Sequence, residues 1–200
     1  MRGIALNKPA AYISCRRLSF LREVFMDTLR LLSLRPEMAE ALAAYRAEFL
    51  PDRQRVTYDP DRVPGLDHLE DFPAVPEWLR WCGSMTGKIA WFASVRESDR
   101  LPVGCLCLRH RLEYDDDDPE FRSHIGYSVR PSERGKGYGK EQLRLGLAAA
   151  KALGLERVRV ICRDTNTASR RIILANGGMY IDTIHGGESG MNVQRFDISL

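Results

Sequence analysis

The chain has 200 residues, 44% of them hydrophobic and 28% charged, with a formal net charge of +3; that is enough for one domain with a sizeable core and short for two. This balance excludes a disordered chain, and no apolar run reaches the ~18 residues that a membrane-crossing helix needs. Basic residues are interspersed with acids, which argues against a nucleic-acid partner, whose footprint is a concentrated basic face.

Residues 1–25 carry Arg2, Lys8, Arg16, Arg17 and Arg22 and no acid before Glu23. An organelle-targeting peptide has that bias, and so does a plain upstream extension. The second reading is preferred, with a poorly packed segment 1–25 ahead of one domain over 26–200. Leu29 to Leu34 reads as a strand. RPEMAEALAAYRAEFL follows as a helix, with Pro36 in its first turn and Met38, Leu42, Tyr45 and Leu50 on one side. Five of the ten prolines fall between Pro51 and Pro76, a long irregular connection of the kind that usually shapes a site. EWLRWCGSM is a short apolar helix whose Trp78 and Trp81 are read as core.

KIAWFASVRE and LPVGCLCLRHRL are strands joined by a turn at Ser98 to Arg100. Cys105 and Cys107 share one face of the second strand; without a second pair at ligand spacing they read as core, and no metal is expected. Asp115 to Asp118, closed by Pro119, is a loop tip. FRSHIGYSV is a strand. GYGKEQLRLGLAAAKALGL is a helix with Leu143, Gly146, Leu147, Ala150 and Leu153 on one face and a stop at Gly154. RVRVIC is a strand, NTASRRIILANGG a helix, and MYIDTI and MNVQRFDI are short final strands. The order β-α-α-β-β-β-α-β-α-β-β predicts an α/β fold with a central sheet. Five cysteines, an odd number with no CxxC pair and no secretory signal, fit reduced thiols and a cytoplasmic location.

The stretch VRPSERGKGYGKEQL (129–143) stands apart. Glycines at 135, 137 and 139 lie between a strand and a helix, beside Arg134, Lys136 and Lys140. Glycine lets the backbone approach a ligand and turn sharply, and the first amides of a helix have no internal acceptors and face an anion. The P-loop pattern GxxxxGK[ST] fails because Glu141 follows Lys140, and the dinucleotide pattern GxGxxG fails because position 140 is lysine. What fits is RxxGxG at Arg134, Gly137 and Gly139, directly after a strand ending Val129-Arg130-Pro131.

With that flanking strand and the Asn166 helix downstream, the chain resembles the GNAT superfamily of N-acyltransferases, and LRHRL…HIGYSVRPSERGKGYG…NTASRRIILANGG is similar to a subgroup of predicted bacterial acetyltransferases. The resemblance extends over about 170 residues from Leu29 onward. It implies a GNAT-type fold, a mixed, mostly antiparallel sheet flanked by helices, in which two splayed strands form the cleft for CoA. It implies acetyl-CoA as co-substrate, its pyrophosphate held by the amides of Arg134, Gly135, Lys136, Gly137, Tyr138, Gly139 and Lys140. The edge of the strand at Tyr127, Ser128 and Val129 would face pantetheine, with Asn166 and Ser169 on the other side.

The implied reaction is direct transfer of acetyl to a primary amine in a ternary complex. A lysine-like amine near pKa 10.4 costs about 4.6 kcal/mol to deprotonate at pH 7, whereas an α-amine costs about 1 kcal/mol, so a basic acceptor needs a base. The positions where the family often carries one are Ser123 and Ile125, and neither is a base. His124 has the opposite parity and reads more readily as structural than as the base. Tyr127 has the right parity and is the candidate proton-transfer contact; His110 and Asp164 are held in reserve. The family tyrosine that protonates the departing thiolate falls at Ile173 here, a real departure. A non-catalytic acyl-CoA sensor is the alternative this departure keeps open. The expected partner is a small-molecule or peptide amine, with no nucleic acid and no membrane, and a homodimer stays open.

Overall fold

The structure, a computed structural model, describes residues 27–49, 63–112, 122–186 and 191–200. The segment 1–25, the aspartate run and the first half of the proline-rich stretch lie outside the described residues.

A four-stranded antiparallel sheet takes the order β1-β2-β3-β4, from β1 (Leu29–Ser33), β2 (Ile89–Arg96), β3 (Pro102–Arg109) and β4 (Ile125–Val129). A second antiparallel sheet, in the order β5-β7-β6, holds β5 (Arg157–Arg163), β6 (Met179–Gly186) and β7 (Met191–Ser199). The α-helices among the described residues are α1 (Ala39–Ala47), α2 (Val75–Ser84), α3 (Tyr138–Ala152) and α4 (Thr167–Ala175). The element order read from the sequence is the one observed. β6 and β7, expected to be short, run to eight and nine residues.

β3 explains the layering. All eight of its residues are buried, as its unbroken apolar run requires of a strand covered on both sides. Its alternation sends Cys105 and Cys107 into a core with Leu42, Tyr45, Trp78 and Trp91, and Leu106 and Leu108 into a second with Ile125, Leu143, Val160, Ile173 and Phe196. Hence α1 and α2 cover one face of the first sheet, and α3 and α4 the other. α3 comes close enough to β3 that a Cβ at Gly146 would lie 2.6 Å from Leu106 Cδ1. Burial pushes the Cys105 and Cys107 thiols well above the ordinary range, so they stay protonated packing groups. No helix among the described residues is long and apolar enough to cross a membrane.

The two sheets share the second core, and the start of β4 is tied to β5. His124 N–H donates to Arg159 C=O at 2.9 Å, and Arg159 N–H donates to His124 Nδ1 at 2.9 Å. His124 directly precedes β4 and Arg159 lies early in β5, so the two strands start side by side. No ladder continues the pairing. Every ladder among the described residues is antiparallel, and the space between β4 and β5 beyond this pin is where the resemblance expects the cleft.

Candidate active site

Two backbone bonds fix which way β4 faces the gap. Arg109 N–H donates to His124 C=O at 2.8 Å, and Arg130 N–H to Val103 C=O at 2.9 Å. With Cys107 opposite Gly126 and Cys105 opposite Ser128, the even residues of β4 bond to β3. The odd residues, Ile125, Tyr127 and Val129, turn their amides and carbonyls toward the β5 side. Side chains alternate as well. Tyr127 joins the α3/α4 core, and its hydroxyl meets Ser169 Oγ at 3.0 Å, linking β4 to α4 across the gap. Cys162 of β5 lies against the same serine; burial pushes its thiol up to about 11, with Ser169 partly opposing.

Ser128 lies on the other face. Its hydroxyl meets Tyr45 OH at 3.0 Å and donates to Pro64 C=O. Its backbone is paired with β3 as well, so of the three expected edge residues Tyr127 and Val129 address the gap and Ser128 does not.

At the open end, the chain leaves Val129 through a single turn of 3-10 helix, Pro131–Glu133, and enters α3. Gly137 is the N-cap of α3 at φ 88, a left-handed backbone that only glycine adopts without strain. Among the described residues, the N–H groups of Gly135, Lys136, Gly137, Tyr138 and Gly139 have no acceptor, whereas Lys140 N–H turns back to Gly137 C=O at 3.2 Å. Five consecutive free amides at the start of a 15-residue helix form an anion cradle. Gly139 has a packing reason too, because a Cβ there would lie 2.7 Å from Ile172 Cδ1 of α4.

The basic side chains of the turn are engaged with the protein. Arg134 Nε donates to Val129 C=O at 3.2 Å, with its guanidinium 5.4 Å from the Phe49 ring centre. Lys136 Nζ donates to Glu133 at 2.9 Å, and Arg96 Nη1 reaches the same carboxylate at 2.7 Å. Burial alone would raise the Glu133 pKa, but Lys136 and Arg96 outweigh it and hold the carboxyl below its ordinary range. Tyr138 OH accepts from Arg96 at 3.2 Å. Lys140 is exposed, and its carbonyl accepts from Asn176 Nδ2 at 3.2 Å.

Across the gap, Asn166 is the N-cap of α4, its Oδ1 accepting from Ser169 N–H at 3.0 Å. Ile173 is fully buried in the core, so the position where the family tyrosine would stand is packing. Asp164 accepts from Asn192 at 3.0 Å, and His110 follows β3, with its N–H donated to Lys88 C=O at 2.9 Å. The structure thus links Tyr127 to Ser169, Ser169 to Asn166, and sets Gly139 of the turn against Val129 and Ile172. It also shows groups the sequence did not single out: Tyr45, Glu48 and Arg96 all reach this region from elements more than 35 residues away. No spacing rule points to pairs so far apart.

A sequence profile for the acetyltransferase (GNAT) domain matches residues 29–179. The chain belongs to the GNAT acetyltransferase family. It is accordingly an acyltransferase. No curated protein matches the sequence. Among solved structures, similarity is to RimL, a ribosomal L7/L12 α-N-protein acetyltransferase in complex with CoA: TM-score 0.66, 15% identity, 86% of this chain and 94% of that one. Mycobacterium smegmatis RimJ, in complex with CoA-disulfide, gives 0.64 at 20% identity over 87% and 83%. Salmonella typhimurium yncA, with acetyl-CoA, gives 0.62 at 15% over 86% and 94%. At these identities the likeness carries the fold.

Proposed function

We propose that the protein is an N-acetyltransferase that moves acetyl directly from acetyl-CoA to a primary amine. The observation that carries the reading is the run of five acceptor-less amides, Gly135 to Gly139, at the mouth of the β4/β5 gap. These amides suit a pyrophosphate, while the inward-turned backbone of Tyr127 and Val129 suits the amide-bearing pantetheine arm. Asn166 and Ser169 border the arm from α4.

In the step itself, the amine lone pair attacks the thioester carbonyl carbon. The C–N bond forms, the C–S bond breaks, the amine gives up one proton and the departing sulfur takes one. Tyr127 supports the second proton movement: its hydroxyl lies at the α4 side of the gap, oriented by Ser169, and no tyrosine stands at 173. A thiol near pKa 8–9, about that of cysteine, leaves tolerably without help, so this contribution is modest. His124 spends its Nδ1 lone pair on Arg159 N–H, which supports the pin role over the base role.

The acceptor is a small-molecule or peptide amine. RimL, named for an α-N-protein substrate, supports the weakly basic end of that range, where deprotonation costs about 1 kcal/mol and no dedicated base is required. A homodimer is supported by the exposed edge strand β6, whose Met179, Tyr180 and Ile181 are each about half exposed or more. Cys82, Cys105, Cys107 and Cys162 are free thiols rather than disulfides, which suits a cytoplasmic setting.

The test is release of CoA thiol on incubation with acetyl-CoA and a panel of peptide N-termini, polyamines and lysine side chains. Turnover on at least one class is expected. Tight binding of acetyl-CoA without turnover on any of them would favour the sensor reading instead.

A further inference from the structure

Glu48 is the residue directly after α1 and caps its C-terminal end. A carboxylate there opposes the helix dipole, whose negative end lies at the C-terminus. Its local position is therefore unfavourable, and a tertiary contact must hold it. Both oxygens are in use. Oε1 accepts from Arg130 Nη1 at 3.0 Å, and Oε2 accepts from the backbone N–H of Ser132 at 3.2 Å. Those partners flank Pro131, in the turn that carries the chain from β4 into the amide cradle.

The rest of the last turn of α1 grips the same stretch. The Arg130 guanidinium sits 5.5 Å from the Tyr45 ring centre, Tyr45 OH meets Ser128 Oγ at 3.0 Å, and Arg134 lies over Phe49. Arg130 is buried, and Glu48 is its carboxylate partner. That arginine next to the cradle is therefore neutralised and is not itself a phosphate ligand. We propose that Glu48 is a positioning residue for acetyl-CoA: by holding Arg130 and Ser132 together, it fixes the turn 130–134 and so the direction in which the amides of 135–139 point. This rests on the reading of those amides as the pyrophosphate site. The benefit is preorganisation, because a cradle already ordered loses less freedom when the anion arrives.

The experiment compares Glu48→Gln, the apolar pair Glu48→Leu with Arg130→Met, and Gly137→Asp in the full-length protein. Acetyl-CoA dissociation constants, steady-state kinetics and thermal midpoints are measured for each. Glu48→Gln should raise the KM and Kd for acetyl-CoA about tenfold, the size of one charge-assisted hydrogen bond, with kcat within about twofold. The apolar pair leaves no stranded charge, and such replacements are commonly neutral for stability. It should therefore melt close to the unsubstituted protein yet keep the raised KM. A normal KM in the apolar pair, with a lowered midpoint in Glu48→Gln, would reduce Glu48 to a structural ion pair and overturn the proposal. Undiminished acetyl-CoA binding by Gly137→Asp would instead overturn the site assignment on which it rests.

Discussion

A side chain at position 137 would have to adopt φ 88, which costs most residues about 1–3 kcal/mol. Asparagine and aspartate tolerate that conformation better than others, so this pair separates backbone from charge. Gly137→Asn should fold and keep most of its affinity for CoA. Gly137→Asp puts a negative charge beside the anion the amides are meant to hold; at about 4 Å and an effective dielectric near 20 the repulsion is about 4 kcal/mol before salt screening. We therefore expect CoA affinity at least tenfold lower in the aspartate variant than in the asparagine one, as read by calorimetry. Equal affinities would mean that the cradle does not face a phosphate. At Tyr127 the prediction is on rate. Tyr127→Phe removes one hydroxyl and leaves the ring in its core, so kcat should fall about three- to tenfold while the acetyl-CoA KM holds within about twofold. Ser169→Ala, which removes only the partner oriented at 3.0 Å, should fall between the two.

At the scale of elements, the strands and helices were readable because each carries its own apolar period, and the RxxGxG turn because it sits between two of them. The departures have local causes. The strand read from Phe121 starts at Ile125, because Ser123 Oγ bonds Ile125 C=O at 2.8 Å and His124 turns to the neighbouring sheet. Ser128 belongs to the strand edge that the resemblance places at the cleft, yet strand alternation sends its side chain to Tyr45 and its backbone to β3. The Glu48–Arg130 pair joins residues 82 positions apart and leaves no pattern along the chain. The start of α4 is an element whose two jobs can be pulled apart. Asn166 caps the helix through Oδ1, a role aspartate fills equally well, whereas aspartate has no amide to donate to a cofactor. Asn166→Ala should cost about 1 kcal/mol of stability. Asn166→Asp should melt like the unsubstituted protein and still bind acetyl-CoA more weakly. If the aspartate variant binds normally, Asn166 is a cap and nothing more.

Over the whole molecule, acid is the condition that tests how the site is held to the fold. Glu133 is buried between Lys136 of the glycine-rich turn and Arg96 at the end of β2, so one carboxylate joins that turn to the first sheet. Elsewhere Arg195 holds the Asp182 carboxyl low and joins β6 to β7, and Arg144 does the same for Glu141 on α3. All three are depressed below their ordinary values in the folded state. Between the folded and unfolded pKa values the unfolded chain therefore binds more protons than the native one, and stability rises with pH across that interval. The contribution is fully present above the ordinary carboxylate range, near pH 4–5, and is lost as the pH falls through the lower folded values. The thermal midpoint should accordingly be flat from about pH 6 to 8 and drop below about pH 5. Glu133→Gln removes one of the titrating groups but keeps an acceptor for Arg96. Its midpoint should be lower than that of the unsubstituted protein at pH 7, and the two melting curves should converge toward pH 4. If the difference between them is the same at both pH values, the Glu133 charge contributes nothing to joining cradle and sheet, and packing around Tyr138 alone holds the turn in place.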